Sequence, residues 1–187
     1  MNDARRLALF GGVVAGLAVV LSASPARAED DRAHDATEAT EARDAFVRDQ
    51  QKLMTVLGAY ALGSISTGIP MMTSSSEEVR AAGVQNVAWG AVDGAIALYA
   101  LALALARERS PSPAKESAAH WTGERAKLRT LFAVNAGLDV LYITAGALLL
   151  ALGQTDGVRG TGGGILAQGG FLFAFDTAGF FVMAPNR

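Results

Sequence analysis

The chain has 187 residues, of which 51% are hydrophobic and 18% charged, with a formal net charge of -2 and a mean hydropathy of +0.27. That balance points to an integral membrane protein of one domain rather than a soluble one. No long basic stripe offers a nucleic-acid surface, and the absence of cysteine excludes disulfides, thiolate metal sites and thiol nucleophiles.

The N-terminus reads as a secretory signal. Arg5 and Arg6 precede an apolar stretch from Leu7 to Ala23, Ser24-Pro25 breaks it, and Ala26-Arg27-Ala28 places small residues where a signal peptidase reads. Cleavage after Ala28 leaves 13 bases and 17 acids in the mature chain. The alternative is an uncleaved anchor, because the apolar run is long for a signal. Residues 29–50 follow as an acidic polar lead-in with eight acids and three bases, expected to be exposed and partly helical, with order where Phe46 and Val47 approach the membrane.

Four apolar runs make up residues 51–187, at about 53–72, 84–106, 130–152 and 164–185. Each is close to the roughly 20 residues that a helix needs to cross the hydrocarbon layer. The expected fold is all-α: an integral membrane four-helix bundle behind a cleavable signal peptide. In the first connector Ser75 or Ser76 is placed to cap the second helix, with Glu77 and Glu78 at its positive end. Six bases and three acids fill the second connector, 107–129, where Pro111 and Pro113 stop the helix. The third, 153–163, is dominated by glycine and reads as a mobile hinge. Its string RGTGGG has neither the dinucleotide nor the nucleoside-triphosphate spacing, so a flexible turn is the expectation rather than a phosphate cradle.

The signal places the mature N-terminus in the periplasm of a bacterial inner-membrane protein. Four spans then put the basic second connector outside too, against the usual preference of Lys and Arg for the cytoplasmic side. These two signals conflict.

Asp93, Asp139 and Asp176 lie near the centres of the second, third and fourth runs, with no Lys, Arg or His beside them. An ionisable group at the bilayer centre costs roughly 2.5–3.5 kcal/mol on insertion scales, and such groups face a bundle interior. Helical spacing aligns Asn86, Trp89 or Gly90, Asp93, Ala97 and Ala100 on one face, and Asn135, Asp139, Tyr142 and Gly146 on another. Gly169, Phe173 and Asp176 form a third face with Gln168 beside it, while Tyr60, Ser64 and Thr67 share a face of the first run. The candidate intramembrane polar site is therefore Asn86, Asp93, Asn135, Asp139, Tyr142, Gln168 and Asp176. Trp89 four residues before Asp93, Asn135 four before Asp139, and a tyrosine after each aspartate suggest a degenerate repeat.

Two functions are open on these residues. Carboxyls converging without a cation to neutralise them would hold a proton, a cation or a small polar ligand. Alternatively, polar side chains act only as glue between helices, worth about 0.6–2 kcal/mol per contact, in a structural or accessory subunit. No cofactor or metal is specified, and no histidine or lysine is placed to activate a serine or threonine, so an enzyme is not expected. Both histidines, His34 and His120, are expected at the surface. Gly90 and Gly94 form a small-xxx-small pair suited to a partner helix or a second copy. Lipid is the other expected partner.

The strings MTVLGAYALGSI, QNVAWGAVDGAI, LFAVNAGLDVLYITAGALLL and RGTGGGILAQGGFLFAFD, read in order, resemble a family of small bacterial membrane proteins of uncharacterised function. The likeness covers about residues 50–180. It implies signal-bearing proteins with four membrane helices and carries over no activity, substrate or cofactor.

Overall fold

The computed structural model describes residues 25–109 and 117–184. They form four helices: α1 (Pro25–Met71), α2 (Glu77–Arg109), α3 (Ala118–Leu152) and α4 (Asp156–Val182). No strand occurs among the described residues. Most of the predicted signal, residues 1–24, lies outside them, as do Pro111 and Pro113.

Local chemistry sets the helix starts. Ser76 caps α2 as expected, its Oγ accepting from the Val79 N–H at 3.4 Å. Glu77 and Glu78 occupy the first turn of α2 and Arg107 and Arg109 the last, each complementing the helix dipole. Ser117 accepts from the His120 N–H at 3.3 Å to start α3. Thr155 does the same for Val158 at 3.2 Å to start α4.

The helices run alternately up and down, and around the bundle the neighbours are α1–α2, α2–α4, α4–α3 and α3–α1. One end gathers Asp49, Arg107, Arg125 and Arg129, and the other gathers Glu77, Glu78 and the first glycines of α4, Gly157 and Gly160. Small residues let the helices close on one another. A Cβ at Gly68 would lie 2.8 Å from the Gly83 carbonyl oxygen of α2, and one at Gly90 would lie 2.9 Å from the Ala61 oxygen of α1. Gly90 and Gly94 thus both face α1 of the same chain. The close helix approach expected of that pair is intramolecular.

Two expectations about the polar segments are corrected. The lead-in is exposed over 32–38 as expected, but it is wholly and not partly helical, because 25–50 is continuous with the first span in one helix of 47 residues, about 70 Å long at 1.5 Å per residue. Ala39, Phe46 and Val47 are buried within it. Phe46 packs on Trp121 of α3 with ring centroids 5.6 Å apart, under the Arg107 guanidinium at 5.7 Å. The glycine-rich connector is not a hinge either. Its residues from Asp156 onward are already helix, and Gly160, Gly162 and Gly164 are buried against Glu78, Gly146 with Leu150, and Gln85. The RGTGGG string is therefore helix interior, with its glycines filling helix contacts.

All four helices are long and apolar enough to cross a membrane. The surface agrees with that length. Leu98 and Leu62 are 71% and 69% exposed, with Leu141, Leu152 and Phe181 similarly open, while Asp93, Asp139, Asp176, Gln168 and Ser64 are buried. A protein in water places these groups the other way round.

Candidate functional site

Each aspartate sits on the interior line of its helix. Asp93 follows Gly83 and Gly90 and precedes Ala97 and Ala104 on α2. Asp139 lies between Phe132 and Gly146 on α3, and Asp176 shares its face of α4 with Gln168, Phe175 and Gly179. The three carboxyls share one neighbourhood. Asp139 and Asp176 are near enough to share a hydrogen bond, Asn135 lies beside Asp176, and Asp93 is near enough for its charge to be felt by both other carboxyls. Asp93 and Asp139 are only 3% exposed, and Oδ2 of each is buried without a hydrogen-bond partner.

A second polar layer lies nearer the glycine end. Seven residues separate Asn86 from Asp93, and eight separate Gln168 from Asp176, so the layers are about 10–12 Å apart. Gln168 is its centre. The Tyr60 hydroxyl donates to Gln168 Oε1 at 2.8 Å, and Gln168 Nε2 donates to Ser64 Oγ at 3.1 Å and to Asn86 Oδ1 at 3.1 Å. The Asn86 amide donates in turn to the Met71 sulfur at 3.6 Å. This amide joins α1, α2 and α4 with all of its polar atoms engaged. Tyr60 also stacks on Phe171, centroids 3.3 Å apart and 3° from parallel.

The predicted residues therefore divide into two layers, and one of them leaves the set. Asp93, Asn135, Asp139 and Asp176 lie at one level, and Asn86 and Gln168 are hydrogen-bonded at the other. Tyr142 is not an interior residue. It is 42% exposed and meets Trp89 of α2 edge-on at 5.4 Å. At about 100° per residue, a position three beyond Asp139 is turned some 60° from it, and that rotation carries Tyr142 to the flank. Phe173 is displaced from its predicted face for the same reason and is exposed. Thr67, also exposed, bonds the Gly63 and Ser64 carbonyls of its own helix.

Sequence reasoning missed a polar collar at the arginine end. Arg125 bonds Asp49 at 2.6 Å and the Val182 carbonyl at 2.9 Å, while Arg107 donates to Gln50 at 3.1 Å and Arg129 lies 4.1 Å over the Phe180 ring. These contacts bring the lead-in against the basic connector and the end of α4. Alternation of charge and apolar residues along 39–50 was the available signal, and it is weak.

Fold and polar interior together define an all-α protein of four helices with spanning length, apolar outside and carboxylic inside. Residues 56–177, about two thirds of the chain, match the family described as "Family of unknown function (DUF6992)". The chain belongs to that family. The match begins within α1 and ends one residue beyond Asp176, so it takes in both polar layers. No curated protein matches the chain, and no solved structure does.

Proposed function

We propose that this chain is a multi-pass protein of a bacterial inner membrane whose bundle interior carries a site for a proton, a cation or a small polar ligand. It is a binding or transport-related module and not an enzyme. Removal of the N-terminal signal would leave the arginine end on the periplasmic side. The observation that carries the reading is the burial of three carboxyls on the interior lines of three helices, two of them with an unpartnered buried oxygen. A buried acceptor without a donor costs about 1–3 kcal/mol, a cost that helix glue does not require. The Gln168 layer favours the second reading, of a structural or accessory subunit, because its bonds are complete and need no ligand. Both can hold in one molecule, the amide layer fastening the helices and the carboxyl layer binding.

Infrared pH titration of the protein in detergent, with Asp93→Asn, Asp139→Asn and Asp176→Asn beside the wild type, tests the shared site. Groups that interact strongly titrate as a set, coupled by more than about 1 pK unit. Each substitution is therefore expected to move the titration of the two remaining carboxyls. Three carboxyls that titrate without regard to one another would leave only the packing role.

A further inference from the structure

We infer that the occupant of the carboxyl layer is a proton, shared between Asp139 and Asp176, with Asp93 as the alternative acceptor. The inference rests on the reading of these carboxyls as one site and names what fills it. An ionised carboxylate only accepts hydrogen bonds, so Asp139 and Asp176, both 5% exposed or less and near enough to share a hydrogen bond, attract one another only with a proton between them. Two ionised groups in that position would repel one another. The unpartnered Oδ2 atoms of Asp93 and Asp139, on residues nine-tenths or more buried, supply further acceptor positions.

The groups facing the layer come from every helix. Tyr60 of α1, in the neighbouring layer, is near enough to feel the charge of Asp93 but has its hydroxyl proton committed to Gln168. From α2 comes Asp93, from α3 Asp139 and Asn135, and from α4 Asp176. No basic side chain is among them. The nearest cation along α3 is Arg129, ten residues from Asp139 or about 15 Å along the helix axis, and it is turned onto Phe180. Positive charge must therefore enter from outside the bundle.

A proton suits this donor set better than a metal ion does. Calcium takes about 6–8 oxygen ligands and magnesium a near-ideal octahedron with several waters. Among the described residues no group of three or more His, Cys, Asp or Glu side chains is arranged to hold a metal ion. Two carboxyls in contact, by contrast, need one proton and no further ligands. In the singly protonated state the hydrogen bonded to one Asp139 oxygen points at an Asp176 oxygen. Its transfer to Asp93 leaves both partners as carboxylates, and release to water regenerates the fully ionised set.

Infrared spectroscopy on the full chain in detergent separates the occupants. At neutral pH the wild type should show the C=O stretch of a protonated carboxyl, distinct from carboxylate stretches and shifted in D₂O. Sodium, potassium, magnesium or calcium chloride added at fixed pH should leave that band unchanged. Asp139→Asn and Asp176→Asn should each abolish or shift it. A band lost on addition of one of these salts, with carboxylate stretches rising and a proton released, would make that cation the occupant and overturn the inference while leaving the shared site intact. Absence of any protonated carboxyl at neutral pH would also overturn it. Independent titration of the three carboxyls would instead defeat the shared site itself. The salt series uses unmodified protein, so it decides the question even where an aspartate variant does not fold.

Discussion

Gly146→Ala tests how closely α3 and α4 are pressed together. The added Cβ would stand 2.6 Å from the Leu166 backbone nitrogen and 2.9 Å from the Gly162 carbonyl oxygen, whereas ordinary contact starts near 3.4 Å. Both obstacles are main chain and cannot rotate away. The helices must then separate by about 0.8 Å, and a gap of roughly 0.5–1 Å forfeits a quarter to a half of each dispersion contact across the seam. Overpacking of this kind costs about 1–3 kcal/mol. Alanine for glycine inside a helix also contributes nearly 1 kcal/mol of propensity, so the variant needs a reference. Gly137 on the same helix supplies it, since a Cβ there meets nothing within 4 Å. Sodium dodecyl sulfate titration in mixed micelles, followed by circular dichroism, should find Gly146→Ala about 1–3 kcal/mol less stable than Gly137→Ala. Equal stabilities would refute the close α3–α4 approach and the backbone contact at Gly162 with it.

Gln168→Leu removes an amide that serves Tyr60, Ser64 and Asn86, and interhelical hydrogen bonds in membranes average about 0.6 kcal/mol with a maximum near 1.7. In the same titration it should cost roughly 2 kcal/mol and Tyr60→Phe only a fraction of that; a Tyr60→Phe loss as large as that of Gln168→Leu would contradict a network centred on the amide. Phe46→Ala should cost about 3 kcal/mol, as large-to-small changes in cores do, and shift Trp121 emission to the red as water reaches the ring. Unchanged emission would place the lead-in helix away from α3.

Four helices, the Ser76 cap, and the inward turn of Asp93, Asp139 and Asp176 follow from the sequence because each depends on local composition or on a 3.6-residue period. Hydrophobic length marks a spanning helix whatever its neighbours are. A charge amid apolar residues identifies the interior side of its own helix. The family match includes all three aspartates but describes no activity for them. Which polar groups share a level was left to the tertiary structure. Gln168 looked like a neighbour of the Asp176 face, but the packing of α1 antiparallel to the parallel pair α2 and α4 sets it beside Tyr60, Ser64 and Asn86, two turns from the carboxyls. Tyr142 was misplaced because a three-residue step suffices for proximity in sequence but rotates a side chain out of a narrow interface. The glycines after Gly153 read as flexibility since glycine disfavours isolated helix. Packing reversed that preference: only a residue without a Cβ lets α4 lie against the backbones of α2 and α3, and those partners are remote in sequence.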